Sequence, residues 1–190
     1  MTSTSLRFSL AAVALLIGAA SLGAQQAGPA GGPKVGDLAP DFTLPAATMN
    51  GVSQSPVKLS DLRGQTVVIA FYPRARTRGC TVQMQTYRDQ FSTLFNNGQG
   101  VTVLSVSTDP VDTIAAWARD EKFPMTFLSD REATVGQLYD VKYPAMNLLR
   151  RVLFVVGPDG RIKHIMRPFS ELSADSYVEL GNAVKAARGQ

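Results

Sequence analysis

Residues 71–83 read FYPRARTRGCTVQ and contain the single cysteine of the chain, Cys80, with Arg74, Arg76 and Arg78 crowded just ahead of it. A thiol reacts as its thiolate, so the surroundings of the sulfur decide what it can do. Before it, TVVIAFY at 66–72 is a continuous apolar and β-branched run, the pattern of a strand buried on both faces. After it, Met84, Tyr87, Phe91, Leu94 and Phe95 recur at helical spacing, which predicts a helix over about 79–96 ended by Asn97 and Gly98. Cys80 then sits in a first helical turn, where unpaired backbone N–H groups and the helix dipole favour an anion and nearby arginines add to the effect. We read it as a reactive thiolate, not as a small buried hydrophobe.

Several chemistries are excluded by what is missing. Disulfide exchange of the C-x-x-C type needs a second thiol, and here Gln83 stands three residues after Cys80. One cysteine and one histidine, His164, cannot build a structural zinc site. His164 lies in RIKHIM, alternating on an expected strand, and reads as a surface position. GPAGGP precedes the domain and GPDG is a turn, so there is no glycine-rich phosphate loop. The net charge of +4, from 19 basic and 15 acidic residues spread without long runs, is a solvated surface and no nucleic-acid footprint.

The elements around this site read as one α/β domain. Phe8 to Ala20 is an apolar stretch of 13 residues behind Arg7, followed by the small residues of SLGA. That is the form of a secretory signal over 1–24 and is too short for the roughly 20 residues of a membrane span, so export is the expectation and a permanent anchor the weaker reading. Residues 25–34, QQAGPAGGPK, read as a flexible lead-in, with the domain over 35–190. A second strand is VTVLSVS at 101–107. Asp109 as cap and Pro110 as first residue open a helix to about Lys122. MTFLSD at 125–130 is a short strand, 132–141 a short helix, and RVLFVVGPDGRIKHIMRP two strands joined by the turn 157–160. Ser173 caps a last helix carrying Val178, Leu180 and Val184. Trp117, Phe91, Phe95 and Phe127 are assigned to the core.

Pro73, Thr77 and Cys80 reproduce P-x-x-x-T-x-x-C, and with FYP before and CTVQ and YRD after, the stretch resembles the peroxiredoxins, most nearly the peroxiredoxin Q or bacterioferritin-comigratory-protein subgroup. KVGDLAPDFTLP, VKLSDLRGQTVVIAFYP, VSTD, FPMTFLSD and RVLFVVGPDGRI resemble family segments in the same order. The resemblance implies a thioredoxin-like fold, a central mixed sheet flanked by helices, and reduction of hydrogen peroxide and organic hydroperoxides by a peroxidatic Cys80 without a cofactor. It further implies that Thr77 bonds thiolate and peroxide, that Pro73 shields the sulfur from water, that Arg151 holds sulfur and peroxide together, and that Gln83 and Tyr72 help to orient the site. Arg150 should point to the opposite side from Arg151.

Two departures stand out. Arg78 replaces a residue that is commonly proline, and Arg74 and Arg76 add further charge of unassigned role. The resolving cysteine of many subgroup members would fall at Gln85 and is absent. Cys80 must then be restored by an external thiol, from a thioredoxin-like protein or a small molecule, acting on a monomer or homodimer. An exported redox sensor or binding module that is oxidised once without turnover is the alternative.

Overall fold

The computed structural model describes Met1 and residues 31–189, so the expected signal segment and most of the lead-in lie outside the described residues. Gly32 and Pro33 are already buried, with the Gly32 α-carbon set against Tyr139 and Asp140, so packing begins just ahead of Val35.

Among the described residues, nine strands occur in chain order: β1 (Thr43–Leu44), β2 (Ala46–Thr48), β3 (Gly51–Val52), β4 (Val57–Lys58), β5 (Thr66–Phe71), β6 (Val101–Ser107), β7 (Thr126–Ser129), β8 (Val152–Val156) and β9 (Ile162–Met166). The helices are α1 (Arg78–Asp89), α2 (Phe91–Phe95), α3 (Val111–Asp120), α4 (Thr134–Leu138) and α5 (Ala174–Ala187). β1 and β4 form a small ribbon, and the other seven strands form one sheet in the order β3-β2-β7-β6-β5-β8-β9. β5, β6 and β7 run parallel, while β8 returns antiparallel beside β5 and pairs with β9 as a hairpin.

The continuous apolar run of β5 has a direct cause in this arrangement. Val68, Ala70 and, just past the strand, Tyr72 join the core built with Met84, Phe95, Trp117 and Leu180 of the helices, whereas Val67, Ile69 and Phe71 face the second core with Phe154, Tyr139 and Leu44. Both faces are dry, so alternation of polar residues is lost. β5, paired on both edges, ends at Phe71, and the chain rises out of it directly into the Cys80 loop.

Four helix expectations need correction. The helix after Cys80 is two helices, bent at Gln90 with φ −111° and ψ 22°. A stripe at period 3.6 is the same for one rod and for two that meet at a bend, so the apolar pattern could not show it. Residues 96–98 then enter the left-handed region and end α2 where Asn97 and Gly98 were expected to. α3 starts at Val111 with Pro110 at its cap, and Asp109 does not cap it. Finally, Ser173 stands at the N-cap of α5 without a side-chain capping bond, and Tyr177, Leu180 and Val184 form its buried face while Val178 is exposed. The short helix expected over 132–141 covers only Thr134–Leu138, its first turn held by the buried carboxylate of Asp130, which accepts the Gly136 N–H at 2.8 Å.

Candidate active site

The site lies where β5 hands over to α1. Pro73 is half-buried, Arg74, Arg76, Thr77 and Arg78 are exposed, and Cys80 closes the stretch as the third residue of α1, only 1% exposed. Thr81 donates its N–H to the Thr77 carbonyl at 2.8 Å, the first bond of the helix. The N–H groups of Arg78, Gly79 and Cys80 therefore have no carbonyl below them and aim their partial positive charge at the mouth of the site.

Arg151 reaches this turn from the other end of the chain, at the residue preceding β8. Its Nη2 donates to the Cys80 Sγ at 3.5 Å. Its Nη1 donates to the Gln83 Oε1 one turn along α1, and its Nε lies 3.0 Å from the Glu171 Oε2. Gln83 is fully buried and passes the contact on, donating from Nε2 to the Tyr87 hydroxyl at 2.9 Å. Burial holds the Tyr87 phenol well above its ordinary pKa, so it stays neutral and can accept that bond. Two of the five guanidinium N–H groups are thus committed, to Gln83 and Cys80, and the Glu171 carboxylate sits beside Nε as an ion pair, which together fix the plane of the group and leave one N–H on each Nη. Arg150 is on the other side, its guanidinium 5.5 Å from the centre of the Tyr143 ring.

Thr77 donates its hydroxyl proton to the Arg74 carbonyl at 2.9 Å, which closes the loop and leaves the oxygen lone pairs as acceptors. Tyr72 is fully buried and packs on Trp117 and Phe127 beneath the loop. Its hydroxyl has no hydrogen-bond partner, and burial pushes its pKa well up. Of the site residues named from the sequence, Cys80, Arg151 and Gln83 are in one bonded network, Thr77 and Pro73 line the loop above it, and Tyr72 lies under it as a core side chain.

Two residues that sequence reasoning missed complete the frame. Asp109 Oδ2 accepts the Ala75 N–H at 2.8 Å and the Ser107 hydroxyl at 2.9 Å, tying the Cys80 loop to the end of β6. Its place beside a proline and a helix start hid this, because a capping aspartate would look the same. Glu171 comes from the loop between β9 and α5, and no local pattern in SELSAD connects it with Arg151. Of the three loop arginines, Arg76 pairs with Asp120 at the end of α3 while holding a left-handed φ of 61°. Arg74 and Arg78 make no ion pair among the described residues.

A buried sulfur with a charged donor aimed at it from a helix start is a site for a nucleophilic thiolate attacking a small electrophile. The comparisons with known proteins agree. The AhpC/TSA family matches residues 35–165. Peroxiredoxin Bcp of Escherichia coli is 35% identical over 142 residues, 72% of this chain and 86% of that protein. A putative peroxiredoxin bcp of Coxiella burnetii is 35% identical over 154 residues, 76% of this chain and 93% of that one. The crystal structure of peroxidoxin BcpB from Mycobacterium tuberculosis superposes with a TM-score of 0.68 at 31% identity, covering 82% of this chain and 98% of that one. The chain belongs to the AhpC/TSA family, as a one-cysteine peroxiredoxin of the Bcp type with a thioredoxin-like fold.

Proposed function

We propose that this peroxiredoxin reduces hydroperoxides at Cys80 by a one-cysteine cycle that takes its electrons from an external thiol. The observation that carries the reading is the approach of Arg151 Nη2 to Cys80 Sγ at 3.5 Å in a chain with no second cysteine. The thiolate attacks one oxygen of the peroxide, the S–O bond forms as the O–O bond breaks, and the departing oxygen leaves with the electron pair and takes a proton. Water or an alcohol is released and Cys80 becomes a sulfenic acid. Negative charge moves along the sulfur and both oxygens during this step, and a preorganised donor at that place lowers its cost. The free N–H groups on the two Nη atoms of Arg151 serve as that donor, and the lone pairs of Thr77 Oγ1 accept a hydrogen bond from the peroxide O–H. Pro73 keeps water from the sulfur, and Gln83 holds Arg151 in register.

Recovery needs two thiol equivalents. The first condenses with the sulfenic acid, releasing water and leaving a mixed disulfide, and the second displaces it and returns Cys80 as the thiol. Thioredoxin-like proteins and small thiols both meet that chemistry. Residues 1–24 support export to the periplasm or beyond, with the mature chain starting within a few residues of Ala24; mass spectrometry of exported protein that retained residues 1–20 would overturn this. The catalytic proposal is tested by peroxide consumption with a panel of thiol donors: sustained turnover is expected with thiol, and none for Cys80→Ser.

A further inference from the structure

Arg151 is held by more than Gln83. The segment between β9 and α5 folds back over it: the Phe169 N–H donates to the Arg151 carbonyl at 3.0 Å, the Tyr177 hydroxyl donates to the Glu171 carbonyl at 2.8 Å, and the Glu171 carboxylate lies against the Arg151 Nε. The contact is largely out of water, with the two side chains 13% and 22% exposed. The other carboxylate oxygen is pressed toward α1, where only a residue without a side chain would admit it: a Cβ on Gly79 would stand 2.3 Å from the Glu171 Oε1. Glu171 therefore touches both components of the reactive pair, the arginine and the turn that carries Cys80, yet it makes no bond to the sulfur.

From this we infer that Glu171 is a positioning residue for peroxide reduction, fixing the plane of the Arg151 guanidinium so that its remaining N–H groups face the peroxide oxygens as the O–O bond breaks. The inference rests on the peroxidase reading above. Gln83 alone grips one end of the guanidinium and leaves it free to pivot about that contact. The Glu171 carboxylate, paired with Nε at the opposite end and packed against Gly79, stops the pivot. A planar group held at two ends presents its free donors in one direction, which is what charge developing along a line requires. A carboxylate also partly offsets the positive charge of Arg151, so its effect is exerted through geometry and not by raising the charge at the sulfur.

The test compares the parent with Glu171→Ala and Glu171→Gln, each also combined with Arg151→Ala. Two rates are read for each protein: oxidation of Cys80 by hydrogen peroxide, and alkylation of Cys80 by iodoacetamide, which needs the thiolate but not the aligned arginine. Glu171→Ala is expected to slow peroxide oxidation roughly tenfold to hundredfold, between the weights of an exposed and a buried ion pair. Alkylation should change by no more than about twofold, because the helix start that favours the thiolate is untouched. Glu171→Gln keeps the shape of the side chain and an oxygen beside Nε and should recover most of the lost rate. In the Arg151→Ala background, removal of Glu171 should cost nothing further, since there is no guanidinium left to align. An active parent whose peroxide rate is insensitive to Glu171→Ala, or a loss that is as large without Arg151 as with it, overturns the inference and leaves the peroxidase reading standing. A parent that consumes no peroxide overturns that reading and the inference together.

Discussion

The α-carbon of Gly79 and the carboxylate of Glu171 occupy adjoining space with nothing between them: a methyl group on Gly79 would stand 2.3 Å from the Glu171 Oε1 and 3.2 Å from the Arg151 Nη2. The obstacle is the end of a flexible side chain, so Gly79→Ala should fold, with the carboxylate displaced. Alanine also suits the first turn of α1 better than glycine by up to about 1 kcal/mol. Thermal stability should therefore be kept while oxidation of Cys80 by peroxide slows roughly threefold to thirtyfold, a part of the weight of the Arg151–Glu171 ion pair. Melting curves and rapid-mixing kinetics on the same sample test the pair of outcomes. Loss of stability at full rate would mean that Gly79 serves the fold alone.

Arg151 and Arg150 are neighbours with opposite expectations. Arg151→Lys replaces a fork by a point charge that cannot meet Cys80, Gln83 and Glu171 together, and the loss should be about a hundred- to a thousandfold in the peroxide step. Arg150→Ala removes only the stacking on Tyr143, worth about 0.5–1 kcal/mol of stability, and should leave the rate unchanged. If Arg150→Ala abolished activity and Arg151→Lys did not, the assignment of the two would be reversed.

The structure also separates what a chain states locally from what only folding brings together. The strand before Cys80, the helix start beneath it and the hairpin that carries Arg151 follow from apolar period, turn residues and the spacing of Pro73, Thr77 and Cys80, all of them short-range signals. Gln83 and Arg151 could be joined only through the family resemblance, since they stand 68 positions apart. Glu171 and Asp109 were out of reach. Each is a common acidic residue in a segment whose local sequence explains it equally well as surface or cap, and each acquires its role from a partner on a distant element. The bend at Gln90 was likewise invisible, because the apolar faces of α1 and α2 continue one stripe.

Asp109 gives a test of how the loop is held. Asp109→Ala leaves the Ala75 N–H and the Ser107 hydroxyl without their acceptor, and a part-buried donor stripped of its partner costs about 1–3 kcal/mol. The expected result is a less stable protein with faster hydrogen exchange at the Ala75 amide and a slower peroxide step. Asp109→Asn keeps one acceptor oxygen and should fall between. Unchanged exchange at Ala75 in Asp109→Ala would show that the loop is held by other contacts.

The empty resolving position has the largest consequence for turnover. Gln85 lies five residues after Cys80, about 140° around the helix at 3.6 residues per turn, and its side chain donates to Glu121 at 3.0 Å on the side away from Arg151. No thiol elsewhere in the chain can condense with the Cys80 sulfenic acid. Without added thiol, the protein should consume one equivalent of peroxide rapidly and stop, with the sulfenic acid trapped by a dimedone-type reagent and seen by mass spectrometry. Excess peroxide should carry it on to sulfinic acid, and added thiol should give many turnovers. Gln85→Cys extends the test: with α1 intact the two sulfurs face different directions, so a disulfide that formed as fast as Cys80 is oxidised would require the first turns of α1 to unwind. Multiple turnovers by the parent with no thiol or other reductant present would defeat the one-cysteine cycle, because no other group in this chain returns a sulfenic acid to the thiolate.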